Sequence, residues 1–269
     1  MNIAFPLGLL ICIVLLASGI VLGQDFGYIT AFLSPASFLI VVGGTFAALF
    51  ASFPLRTSAG IFRHIPIILG LRKQDPLEYI EMITELSYVA RKNGLLALEE
   101  SVEEYDDIFL RDSIKLIIDT PDPRKAREQL ENELDTIEAR HAQSWEIYDK
   151  GAALAPGFGM IGMLIGIINM FGNLRFQEEG GVPVLVGSIG ASLIAVLYGV
   201  VLANVFFIPA ASQLRAAHAE ETFCKELIIE GAISIQAGEN PHHTEEKLLT
   251  FLTQRQRGKT GAAHNTSAE

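Results

Sequence analysis

Gly157-Phe-Gly159-Met-Ile-Gly162 spells GxGxxG, the spacing with which a tight turn cradles a dinucleotide pyrophosphate. That chemistry needs a strand before the glycines and an acidic residue about twenty positions later. Neither context is expected inside the charge-free stretch Gly151–Leu174 that holds the motif. No HExxH, GxSxG, P-loop or CxxC occurs, so no nucleophile–base or metal constellation is in view and an enzyme is not expected. The acidic run Glu99-Glu-Ser-Val-Glu-Glu-Tyr-Asp-Asp107 offers carboxylates for a divalent cation but lacks the glycine of a calcium loop. It reads as a solvated or partner-facing surface. His64 has no metal partner near it in sequence, and Cys12 and Cys224 fall in an apolar run and a charged tail, where they cannot pair. No cofactor, metal or nucleic acid is expected.

The same glycines make sense as a packing face. Gly162 and Gly166 are four apart, as are Gly187, Ala191, Ala195, Gly199 and Ala203, so each series exposes backbone along one side of a helix. In lipid such faces mark helix contacts or a lumen. Pro156 and Pro209 each remove a backbone donor and free a carbonyl, which is tolerated where neighbours or water satisfy it. The most informative feature is an absence: the charge-free stretches hold no Asp, Glu, Lys, Arg or His. Ion pathways keep an ionisable group at membrane depth despite a cost of about 2.5–3.5 kcal/mol. If this chain serves ion transport, the acid must come from a partner, with Ser188, Ser192, Tyr198 and Asn204 as supporting polar groups.

The elements that would position these residues follow from where charge is missing. Of 269 residues 50% are hydrophobic and 19% charged, and the mean hydropathy of +0.35 points to a membrane protein. Met1–Gln24, Phe26–Leu55, Gly151–Leu174 and Gly180–Leu214 carry no charge, and each exceeds the roughly 20 residues that cross a bilayer as a helix. The fold class expected is all-α, an integral membrane protein with spans near 4–22, 37–54, 152–172 and 184–208 and a cytoplasmic helical domain. The first span lacks a basic leader and runs through a short turn into the second, so it is not read as a cleaved signal peptide. Of the 20 Lys and Arg, all but Arg175 lie in 55–150 and 212–269, which places those segments and the N-terminus in the cytoplasm despite a net charge of −11.

The expected organisation is 1–54, the first two spans; 55–150, a cytoplasmic helical domain; 151–211, the third and fourth spans; 212–257, C-terminal cytoplasmic helices; and 258–269, a disordered tail. Within the loop, Ser58–Leu71 reads as an interfacial helix. Ile80, Ile83, Leu86 and Val89 form a helical stripe that Gly94 ends. A second helix is expected from Leu95 to about Asp119 and a third from Pro123 into the membrane, with Arg124/Glu128 and Arg127/Glu131 paired on its outer side. After the fourth span a helix is expected over Gln213–Gln236, a break at Gly238–Pro241, and a short helix over Thr244–Gln254.

Four spans with a large loop between the second and third resemble the MotA/PomA family of flagellar motor stator subunits. The strings that carry the resemblance are Val41-Val-Gly-Gly-Thr45 with Phe53-Pro54, Ala90-Arg-Lys-Asn-Gly-Leu-Leu-Ala-Leu-Glu99, Ala155-Pro-Gly-Phe-Gly-Met-Ile-Gly162, Leu197-Tyr-Gly199 through Ile208-Pro209, and Glu230-Gly231 with Gly238, Pro241 and Glu246-Lys-Leu248. Each is weak alone; in this order they are specific. The resemblance implies a ring of A subunits, thought to be five, around a dimer of B-type (MotB/PomB-like) subunits whose membrane helix carries an ion-binding aspartate. It implies the bacterial inner membrane, H+ or Na+ as transported ion, and rotation that works on the rotor protein FliG through charged residues, here Arg91 and Glu99. Pro156, Met163, Val196, Tyr198 and Pro209 would line the ion pathway, and Gly162, Gly166, Ala191, Ala195 and Gly199 the helix contacts. The family's span-four threonine is replaced by Val196, and the span-three threonine of sodium-driven members by Met163. A dehydrated sodium ion wants oxygen ligands, so proton coupling is expected. The alternative is an energiser resembling ExbB or TolQ, which have three spans.

Overall fold

The computed structural model describes residues 4–22, 30, 32–54, 60–69, 74–174 and 181–254. The principal helices are α1 (Ala4–Val21), α2 (Pro35–Ser52), α3 (Pro76–Asn93), α4 (Ile108–Asp119), α5 (Pro123–Leu174), α6 (Gly181–Val201), α7 (Ile208–Gln236) and α8 (Pro241–Phe251). A π-helical turn at Leu39–Gly43 interrupts α2, and another at Leu202–Phe207 joins α6 to α7. No strand occurs among the described residues. The chain forms two compact units, one of Met1–Arg72 with His141–Ala217, the other of Lys73–Arg140 with His218–Glu269. The first therefore takes in stretches of the segment 55–150 that hydropathy alone leaves outside the membrane domain. The expected tail 258–269 lies outside the described residues.

The first unit is the apolar one. Pro35–Ser52, Pro123–Gly172 and Ser192–Gln236 contain stretches long and apolar enough to cross a membrane, while the apolar run of α1, Phe5–Val21, falls just short of eighteen residues. Three such helices and one shorter apolar helix thus stand where four spans are expected. Leu10, Leu15, Ile168 and Leu193 are exposed on these helices, as side chains facing lipid rather than water would be. The core gathers Leu49, Ile147, Tyr148, Ala155, Ala203 and Phe207. Phe207 meets Phe46 at 6.1 Å and Tyr148 at 6.4 Å between ring centroids, and its ring lies where a Cβ at Gly151 would be. The expected interfacial helix is, within its described part, a 3-10 turn at Gly60–His64 followed by one helical turn at Ile65–Ile68.

The second unit buries the apolar faces of α3, α4, the first turns of α5, the end of α7 and α8 in one core, with Ile83, Leu86, Leu110, Ile114, Leu130, Leu227 and Leu248 nearly or wholly inaccessible. Its helices start at side-chain caps: Asp75 accepts from Leu77 N, Asp107 from Leu110 N, and Asn240 from His242 N. The helix expected over Leu95–Asp119 is broken by the Asp107 cap into short turns at 95–104 and α4. The last helix begins at Pro241 rather than Thr244, because Asn240 caps it and Pro241 fits its first turn. Gly238, at φ 70°, takes the left-handed conformation that ends α7.

One ionic junction ties three of these helices. The Glu230 carboxylate on α7 accepts from Arg127 on α5 at 2.7 Å and from Lys247 on α8 at 2.6 Å. Glu230 lies well beyond the charge-free stretch Gly180–Leu214. Burial alone would raise its pKa, but the hydrogen bonds and charges of Lys247 and Arg127 outweigh burial and hold it below the usual 4.5. Because the folded-state pKa is the lower one, this contribution to stability is complete above pH 4.5 and is lost as the pH falls through the lowered value. We expect acid to loosen the second unit first around α8, read as early hydrogen exchange there, and Arg127→Ala to cost about 1–2 kcal/mol in thermal unfolding at neutral pH.

Candidate functional site

In the membrane unit α5 and α6 meet along a seam of missing side chains. A Cβ at Gly199 would lie 2.5 Å from the Ala155 carbonyl oxygen, and one at Gly159 would lie 3.0 Å from the Ala195 carbonyl oxygen and 3.2 Å from Val196 Cα. One turn on, a Cβ at Gly162 would be 2.8 Å from the Ala195 methyl and within 4 Å of Ile40 and Val41 on α2. At the next turn Ser192 fills the space above Gly166. The structure therefore sets Gly162, Gly166, Ala195 and Gly199 along one seam, where Gly199 meets backbone and Gly162 and Gly166 meet the small side chains of Ala195 and Ser192. Ala191 belongs to α6, and its side chain is outside the described set.

The proposed pathway residues take several positions. Pro156 lies inside α5, which continues through it; its missing N–H leaves the Ala152 carbonyl without its helical donor. Pro209 follows the π-turn Leu202–Phe207, where Asn204 Nδ2 donates to the Val200 carbonyl at 2.9 Å. Met163 and Val196 are half-buried. Tyr198 has a use that the sequence does not announce. Its hydroxyl donates to the Phe32 carbonyl at 2.5 Å and accepts from Ser34 N at 3.2 Å, with Phe38 edge-on to its ring. It thus anchors the start of α2, where Ser34 itself caps the helix. The available signal was the residue type: a tyrosine in an apolar span must find a partner for its hydroxyl.

In the second unit, α3 ends at Gly94, whose φ of 86° favours glycine. The chain then turns through Leu95–Ala97 and Leu98–Ser101, fastened by fully buried Leu98. Arg91 with Lys92 precedes this bend and Glu99 with Glu100 follows it, all four exposed. Among the described residues neither Arg91 nor Glu99 is held in an ion pair, so both charges are available. Leu96, 75% exposed, lies between them.

The rest of the acidic run is partly committed. Glu103 pairs with Lys115 at 2.6 Å and Arg111 at 3.8 Å, and the Lys115 hydrogen bond and charge hold its carboxyl below the usual range. Asp107 caps α4 and accepts from the Tyr79 hydroxyl at 2.6 Å. Tyr105 donates to Glu85, and burial followed by that bond pushes its hydroxyl up to about 12. Glu230 and Lys247 stand in the strings that carry the family resemblance, and Glu230 is a glutamate in an otherwise apolar helical run, but nothing in the sequence pairs them with one another or with Arg127, whose spacing points to Glu131 alone. Arg127 does meet Glu131 at 3.6 Å, whereas no ion pair joins Arg124 to Glu128 among the described residues.

Residues 101–226 match the sequence profile of the MotA/TolQ/ExbB proton channel family. The chain is 36% identical over 228 residues to motility protein A of Borreliella burgdorferi, covering 85% of this chain and 86% of that one. It is 34% identical over 257 residues to motility protein A of Treponema pallidum, covering 96% of each. The fold superposes on a chain of the flagellar MotAB stator complex from Bacillus subtilis with a TM-score of 0.85 and 29% identity, over 94% of this chain and 97% of that one.

The seam predicts a contrast on a single helix. Gly199→Ala must push backbone apart and is expected to cost about 1–3 kcal/mol, read as a lower thermal aggregation temperature of the solubilised protein. Gly190→Ala, where a Cβ meets nothing within 4 Å, is expected to leave that temperature unchanged or slightly raised.

Proposed function

Because the chain belongs to the motility protein A family, we propose that it is the A subunit of a flagellar motor stator in the bacterial inner membrane. The observation that carries this reading is the likeness, over nearly the whole length of both chains, to a protein solved as part of a flagellar MotAB complex. The chain crosses the membrane four times with both termini in the cytoplasm, and five copies encircle a dimer of B-type subunits. The spans carry no Asp, Glu, Lys, Arg or His, so the ion-binding carboxylate belongs to the B partner. The α5–α6 seam, with Pro156 and Pro209, supplies the wall along which the ion passes. Ion passage turns the ring, and the exposed charges flanking Gly94 engage FliG on the rotor.

Proton coupling is favoured over sodium. Met163 and Val196 stand where threonine hydroxyls would assist a dehydrated sodium ion, and the Tyr198 hydroxyl is taken up by the Phe32 carbonyl and Ser34 N. A proton needs only the partner's carboxylate.

Deleting the gene in its source cells is expected to leave filaments that do not turn, with rotation restored by the wild-type gene; unchanged swimming, with co-purification of a transport partner instead, would favour the ExbB/TolQ-like energiser. In the complemented strain, Arg91→Glu and Glu99→Lys should each lower the stall torque of tethered beads severalfold while leaving the protein's amount in the membrane unchanged. Motor speed is expected to follow the proton-motive force and to ignore external sodium. A speed that tracks sodium at constant proton-motive force would reverse the assignment of the ion.

A further inference from the structure

Within the membrane unit, α1, α2, the Gly60–Ile68 segment, α5 and the π-turn after α6 enclose a cavity of about 330 Å3. Phe46, Phe50, Ile61, Ile65 and Phe206 provide carbon walls, and Tyr148 is the one lining residue with a polar side-chain atom. That hydroxyl donates to the Ile61 carbonyl at 3.3 Å, so the face Tyr148 offers is its ring. The volume equals the liquid share of about eleven waters at ~30 Å3 each, yet a buried water needs two to four polar partners and these walls offer none. Left empty, the lining would forfeit its dispersion contacts on one side. Apolar cavities less than half this size take up small hydrocarbons. The cavity also reaches the outside: Phe50 is 46% exposed and Ile65 48%. In a unit whose outer surface is apolar and faces lipid, what adjoins that opening is the hydrocarbon of the bilayer.

We propose that this cavity binds a single acyl chain of a bilayer phospholipid, inserted past Phe50 and Ile65 against Phe46, Phe206 and the ring of Tyr148. The chain supplies the packing that the protein leaves out between α2 and the Gly60–Ile68 segment. The site depends on the membrane embedding of this unit and not on the motor reading, so it stands or falls separately.

The test uses the full-length protein with the partner subunits that purify with it, reconstituted in phosphatidylethanolamine–phosphatidylglycerol vesicles containing a phospholipid with a diazirine at its acyl terminus. After irradiation, adducts are mapped by peptide mass spectrometry. Phe46, Phe206 or Tyr148 should be labelled at least as strongly as Leu10 and Leu15, the exposed residues of α1. Ile65→Trp, which fills the cavity from its opening, should cut that labelling severalfold without changing the labelling of α1. Ile61→Phe fills it from the opposite wall and serves if the first variant does not assemble. Interior labelling no higher than that of core residues such as Leu130 and Leu227 would overturn the proposal, as expected if a second copy or a partner helix closes the opening. Labelling unchanged in an assembled filled variant would overturn it equally.

Discussion

The approach of α5 to α6, where the Ala155 carbonyl oxygen occupies the place of a side chain at residue 199, is the constraint on which the membrane unit depends. In hydrocarbon two helices gain nothing from hiding apolar surface, so their association rests on dispersion contact, and contact is closest where side chains are absent. Gly159, Gly162 and Gly166 on one helix and Ala195 and Gly199 on the other remove those side chains turn by turn. Because Gly162 also faces the side chains of Ile40 and Val41, the same seam admits α2, and three helices converge where Gly162 carries no side chain. Phe207 above Gly151 repeats the device, a large ring taking the space that a glycine vacates.

Such packing leaves a second demand, since every carbonyl in lipid needs a donor. Two prolines and two π-turns disturb the regular ladder, and polar side chains donate to further carbonyls within the chain: Thr45 to the Val41 carbonyl at 2.6 Å, Asn204 to Val200, and Tyr198 to Phe32. Tyr198 and Asn204 are read from the sequence as polar groups supporting a partner's acid. In the structure their hydrogens go to the chain's own carbonyls, which is consistent with the proposed division of labour in which the transported charge is held by another polypeptide.

Much of this was legible in the sequence, and what was not has physical reasons. The apolar runs, the Gly94 and Gly238 breaks and the four-residue spacing of small residues depend on local chemistry, and each corresponds to a feature of the fold. The break before α4 was missed because Asp107 lies in an acidic run that masks it as a cap. The unit boundaries departed from the hydropathy boundaries because compactness follows burial, which Tyr148 and Ile68 achieve outside the charge-free stretches. Glu230 with Arg127 and Lys247, and Tyr198 with Phe32, are separated by about a hundred residues or more in at least one partner, and no periodicity reports a contact of that range. The exposed pair Arg91 and Glu99 is the opposite case: its surroundings are local, and the bend between them follows from one glycine.

The charge-free character of the membrane helices has an electrical consequence. A potential of 100 mV does about 2.3 kcal/mol of work on each elementary charge carried across it, but on a wall with no ionised side chain it does almost none. If the helices move as the proposed function requires, that movement is therefore indifferent to voltage: they neither sense the field nor are held by it. On that reading, whatever drives the motion must be delivered mechanically, through contact with the group that does carry charge.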